Sequence, residues 1–108
     1  MKLTDKKKII SEVKALLLKH YPDKIEKVLL FGSQITDTAK KYSDYDVLII
    51  LKNKYDWHLK NDIFALCYDI DLKYDILLDV KIISKYELST LRGKQPFILN
   101  ALAHGIAV

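Results

Sequence analysis

Ile9, Val13, Leu16 and Leu17, followed by His20, recur at the spacing of one face of an α-helix. Thr4 and Asp5 are residue types that start helices by accepting from free backbone N–H groups, and Tyr21-Pro22-Asp23 stops the run, so a first helix is predicted over residues 4–20. The pattern then changes. Residues 25–31 end in the unbroken apolar stretch Val28-Leu29-Leu30-Phe31, as a strand covered on both faces does, and lead directly into Gly32-Ser33. The polar stretch 34–43 is predicted to hold a short helix, and residues 45–51 a second strand with Asp44 and Asp46 at its beginning. Trp57, Ile63, Phe64, Cys67, Tyr68 and Ile70 follow a helical period over residues 56–71, with Leu59 off the stripe. Residues 75–84 read as a third strand and 86–91 as a turn of helix; a last helix begins at Pro96 and stops at Gly105.

Composition narrows the class. The 108 residues suit one packed core and leave no room for a separate acceptor-binding domain, and with 50% hydrophobic and 30% charged residues the chain reads as a soluble globular domain. The net charge of +4 would favour an anionic ligand, but the lysines are scattered. The one run, Lys6-Lys7-Lys8, reads as a solvated helix face, so a nucleic-acid acceptor is not favoured. A single cysteine, Cys67, cannot form an internal disulfide, and the charged Lys2 to Lys8 segment does not resemble a signal peptide; a cytoplasmic protein with no membrane segment is expected.

The chemistry concentrates around three aspartates. Residues two apart in a strand point to one face, so Asp44 and Asp46 present both carboxylates together while Tyr45 points away. Like charges about 4 Å apart repel by roughly 4 kcal/mol at an effective dielectric near 20, so the pair needs a cation, a basic partner or a raised pKa. Magnesium suits them, because it takes hard oxygen ligands and keeps positions for water and phosphate oxygens. Asp79 interrupts the apolar run Ile76-Leu77-Leu78-Asp79-Val80-Lys81-Ile82-Ile83, where an ionised side chain is expensive unless paired, and is preferred to Asp75, which has a ready role in a turn. At Gly32 the backbone can approach a phosphate closely, and the Ser33 hydroxyl can add a hydrogen bond.

The order of these features is more specific than any one of them: apolar strand, Gly32-Ser33, ten residues, Asp44-Tyr45-Asp46, apolar strand, then Asp79 inside a later strand. It resembles the minimal nucleotidyltransferases of the DNA polymerase beta superfamily, and the likeness extends through residues 79–84 to Pro96-Phe97 and Gly105-Ile106. The resemblance implies an α/β fold, one nucleotidyltransferase domain over residues 1–108 with a small mixed sheet of three or four strands and packed helices. It implies that Gly32 and Ser33 contact a nucleoside triphosphate, most plausibly ATP. Asp44, Asp46 and Asp79 would be the catalytic residues and would hold two magnesium ions, with manganese as the alternative, Asp79 also helping to activate an acceptor hydroxyl. Proteins of this type are often antitoxins paired with a HEPN-domain toxin, which names a candidate partner; a homo-oligomer stays open.

Gln34 and Asp37 stand where such proteins commonly carry arginine and glycine, leaving Lys40, Lys41, Arg92 or Lys94 to supply positive charge. Those two positions carry the alternative reading, a nucleotide-binding or partner-binding subunit with little or no catalysis. A purely structural domain would leave Asp79 without a role. Three further groups are read as structural: His20, His58 and His104 lack metal-site spacing, Trp57, Phe64 and Tyr68 read as core rather than a base-stacking platform, and Arg92-Gly93-Lys94 reads as a solvated turn.

Overall fold

The computed structural model describes residues 3–31 and 45–108. Helix α1 spans Leu3–His20, and Ile9, Ile10, Val13 and Leu17 form its buried stripe. Strand β1, Ile25–Phe31, and strand β2, Tyr45–Leu51, have the predicted bounds. Helix α2 spans Trp57–Tyr74, its first turn capped by the Asp56 carboxylate, which accepts from Leu59 N at 3.0 Å. Strand β3, Leu78–Ser84, is shorter than predicted because Asp75 ends α2 in the left-handed region at φ 52° and ψ 49°. Asp75 thus has the turn role expected of it. Two short 3-10 turns follow, Tyr86–Ser89 and Leu91–Lys94, and helix α3 runs over Pro96–His104 with proline in its first turn. A two-residue strand β4, Ile106–Ala107, was not predicted; it is too short to carry a period of its own and exists by pairing with β1.

The sheet is four-stranded and mixed, in the order β3-β2-β1-β4. β1 pairs antiparallel with β2 and β4, and β2 pairs parallel with β3, the crossover between them being α2. Both faces are apolar in β1 and β2 because helices lie on both. Tyr45, Val47, Ile49 and Leu51 join Val28 and Leu30 beneath α1 and α2, where Ile63, Cys67 and Ile70 complete the core. Leu29, Phe31, Leu48, Ile50 and Ile83 belong to the opposite face, which meets Ile98 and Ala101 of α3. Glu12 of α1 ties the first pair of helices together at the surface, pairing with Lys73 at 2.5 Å and accepting from the Tyr74 hydroxyl.

β3 is an edge strand, and side chains close much of its outer edge. Leu78 N donates to Asp71 Oδ1 at 3.0 Å, the Ile82 carbonyl accepts from Tyr55 Oη at 3.1 Å and from Arg92 at 3.0 Å, and Ser84 N donates to Glu87 Oε1 at 3.1 Å. Glu87 N donates back to Ser84 Oγ at 3.2 Å, the reciprocal pair of a capping box. Such cover discourages another chain from adding to the sheet. No helix among the described residues is long and apolar enough to cross a membrane.

Candidate active site

Period-two alternation and register together place the acidic residues. On β2, Asp46 shares a face with Leu48 and Ile50; on β3, Asp79 shares it with Lys81 and Ile83. Asp46 is the register partner of Phe31 on β1 and of Asp79 on β3, so Phe31, Asp46 and Asp79 form one row across three strands. Adjacent strands lie about 4.8 Å apart, which puts the two carboxylates within reach of a shared cation. Phe31, at the other end of this row, already belongs to the apolar patch that α3 covers, and Leu29 and Leu48 of the next row inward, which ends at Lys81, continue it. The carboxylates therefore sit just outside an apolar patch, at the beginning of the two parallel strands.

Asp79 corrects one expectation. An aspartate inside an apolar run was expected to be costly, yet its side chain is 39% exposed and pairs with Lys81 Nζ at 3.3 Å. The apolar run is covered beneath α2 through Leu78, Val80 and Ile82, but position 79 turns to the other face, beyond α3. Asp46 is half-buried in the same row. The fit to a divalent cation is good: two hard oxygen donors stand in register on one face, and the protein already sets a positive charge against one of them. The third expected ligand, Asp44, lies outside the described residues, as do Gly32, Ser33, Gln34, Asp37, Lys40 and Lys41. Among the described residues no group of three or more His, Cys, Asp or Glu side chains is disposed to hold a metal.

Several residues read as structural are placed differently from expectation. Lys6 is buried at 4% exposure, whereas Lys7 and Lys8 are exposed, so the lysine run is not one solvated face. Of the predicted stripe on α2, Ile63, Cys67 and Ile70 are buried and Phe64 packs on the core, but Trp57 and Tyr68 are exposed and Leu59, expected off the stripe, packs on the core. Trp57 stacks on His58 with ring centroids 3.8 Å apart. All three histidines are exposed. Arg92-Gly93-Lys94 is not a free turn: Arg92 Nε pairs with Glu87 at 3.0 Å, and a Cβ on buried Gly93 would meet the Leu88 carbonyl oxygen at 2.2 Å. Arg92 is therefore engaged in closing the edge of β3, through Glu87 and the Ile82 carbonyl. Burial, with help from Asp71, pushes the Cys67 thiol up to about 12, leaving it inert at neutral pH.

An open hollow of about 350 Å³, lined by Lys54, Tyr55, Ser84, Tyr86 and Glu87, lies at the far end of β3 from Asp79. Tyr55, Ser84 and Glu87 are engaged in local bonds. Burial, then Glu87, holds the Tyr55 phenol above its ordinary range, and Lys54 Nζ rests 4.4 Å from the Tyr86 ring centroid. Sequence reasoning passed over Lys81, although it lies two residues beyond Asp79 in a strand and so had to share its face.

Residues 11–107 match the family described as Polymerase beta, Nucleotidyltransferase. Two proteins of Methanocaldococcus jannaschii, both named as candidate protein adenylyltransferases, are similar in sequence. One is 36% identical over 71% of this chain and 78% of its own length, the other 29% identical over 94% of this chain and 95% of its own. Among solved structures, a mutant MntA-HpeT toxin-antitoxin crystal structure is similar with a TM-score of 0.59 at 18% identity, over 90% of this chain and 69% of that one. A second mutant of MntA-HpeT gives 0.54 at 19% identity, over 91% and 68%. At those identities the likeness concerns the fold, and the sheet and helices described above agree with it. The matched span and the relatives' identity carry the assignment: this chain belongs to the polymerase beta nucleotidyltransferase family, among its minimal members, and is a nucleotidyltransferase.

Proposed function

We propose that the chain is a metal-dependent adenylyltransferase that moves AMP from ATP to a hydroxyl group of a protein acceptor. The observation that carries this reading is the in-register pair Asp46 and Asp79 on one face of parallel neighbours. In the proposal Asp44, Asp46 and Asp79 hold magnesium, or manganese in its place, and the backbone of Gly32 with the Ser33 hydroxyl grips the triphosphate. Bound there, the metal would polarise the phosphoryl group, ease loss of the acceptor's proton and neutralise the departing pyrophosphate. In the proposal Asp79, on the edge strand, accepts the acceptor's proton, while Asp46 stays one strand deeper.

The protein acceptor is suggested by the names of the two archaeal relatives, and a toxin partner by the assemblies in which the similar folds were solved. We accordingly place the chain as the antitoxin of a pair whose partner is a HEPN-domain protein, acting in the cytoplasm where ATP is available. The test is magnesium-dependent transfer of label from α-labelled ATP, against CTP, GTP and UTP, onto protein or RNA in a lysate of the source cell. Asp44→Asn/Asp46→Asn is the control. Labelled protein that requires the aspartates supports the reading; labelled RNA would move the acceptor class. Metal-dependent ATP binding without label would favour a nucleotide-binding or partner-binding subunit, the reading to which Gln34 and Asp37 point.

A further inference from the structure

Lys81 stands where the proposed reaction needs a cation and where the acidic motif does not announce one. It lies on the carboxylate face of β3, one row inward from Asp79, as the register partner of Leu48. Its Nζ is 3.3 Å from Asp79 Oδ1 and 5.6 Å from the centroid of the Phe97 ring on α3. Both side chains of the ion pair are partly open, at 41% for Lys81 and 39% for Asp79, so the contact can be exchanged without opening the core. The Phe97 ring is a second resting place for an ammonium group, since a cation within about 6 Å of a ring centroid is attracted to its face. The lysine is thus tethered beside the carboxylates by two weak contacts.

We propose that Lys81 is the resident counter-ion of Asp79, that it gives up this carboxylate when a divalent cation takes it, and that the released ammonium then binds a phosphate oxygen of the nucleotide. This rests on the reading of the site as a metal and nucleotide centre. Two like charges on adjacent strands need compensation when no divalent cation is bound, and Lys81 supplies it at Asp79. Once the carboxylates are shared with a dication, the lysine loses its best partner and stands next to where a triphosphate must lie. That recovers positive charge for a chain with Gln34 in place of the usual arginine and with Arg92 committed to Glu87. Lysine suits the role because its flexible stem can carry one charge between two anions.

The proposal gives opposite signs for two binding constants of one variant. With the full chain and no nucleotide, Lys81→Met should bind manganese about 3- to 30-fold more tightly than wild type, because the competing cation is gone. With manganese saturating, the same variant should bind α,β-methylene-ATP about 10-fold more weakly, and Lys81→Arg should recover most of that loss. Manganese binding is read by electron paramagnetic resonance and analogue binding by calorimetry, so neither arm depends on turnover. Manganese affinity that is unchanged or lower in Lys81→Met overturns the proposal, and so does unchanged affinity for the analogue. Asp46→Asn separates this from the larger reading. If Asp46→Asn binds manganese as wild type does, the metal centre and the role of Lys81 fall together; if it loses that binding while Lys81→Met behaves as wild type, Lys81 alone is wrongly assigned.

Discussion

Among the described residues, the face of the sheet beneath α1 and α2 is covered along its length by helices, whereas α3 covers the other face only over its apolar rows. The strands are the same, and what differs is the cover. α1 and α2 are each 18 residues long, about 27 Å at 1.5 Å per residue, enough to span a seven-residue strand of roughly 23 Å. α3 has nine residues, about 14 Å. It seals Leu29, Phe31, Leu48, Ile50 and Ile83 and leaves Asp46 and Asp79, which continue the row of Phe31 towards the β3 edge, outside that cluster and only partly covered. One face thus supplies burial and the other supplies a partly dry ledge on which two carboxylates can meet a ligand. A sheet of this kind separates stability from chemistry by the length of a helix.

The sharpest way to break the comparison is to change one residue on each face. Asp79→Asn should lower label transfer by about 1000-fold or more while moving the unfolding free energy by less than about 1 kcal/mol, since its ion pair is solvent-exposed. If the domain were purely structural, the same change would leave every function intact and raise stability, because an exposed carboxylate beside Asp46 would have been removed. On the closed face, Ile49→Ala should cost about 2–5 kcal/mol in denaturant unfolding, as Ile49 is fully buried between Val28 and Ile82. A loss under about 1 kcal/mol there would mean that the closed face does not hold the fold.

The smallest expected effect sharpens how α1 and α2 are joined. Lys73 first, then Tyr74, holds the Glu12 carboxyl below its ordinary value of 4.5. A carboxyl depressed on folding adds stability above its unfolded pKa and loses it as pH falls through the folded one. Acid titration of wild type should therefore show a loss of stability beginning near and below pH 4.5 that is shallower in Glu12→Gln. Indistinguishable acid limbs would show the cluster to be idle, as many exposed ion pairs are.

How much was legible follows from the range of the forces involved. The bounds of β1 and β2 were readable to the residue because Val28-Leu29-Leu30-Phe31 and Val47-Leu48-Ile49-Ile50-Leu51 admit no helical reading between polar flanks. α2 was readable as a helix and its stripe in the main, through Ile63, Phe64, Cys67 and Ile70, but not at Trp57, Leu59 and Tyr68. Trp57 and Tyr68 are exposed and Leu59 packs on the core, because Asp56 sets the start of the helix and the crossover to β3 sets its rotation. Arg92 looked free because its partners, Glu87 and the Ile82 carbonyl, meet it only once the 3-10 turns fold back on β3.

Local pattern was enough for the family, for most of the described elements though not β4, and for two members of the acidic row, because a motif of fixed spacing and a period of two are local properties of a chain. It also determined that Asp79 and Lys81 share a face. Only the tertiary structure decided that Asp46 and Asp79 are register partners, that the face they occupy is the one α3 leaves partly open, and that Lys81 rather than Arg92 stands beside them. Register between strands joined by a long crossover is set by how that crossover packs, and the cover over a face by the lengths of helices distant in sequence; neither is written in the neighbours of any one residue.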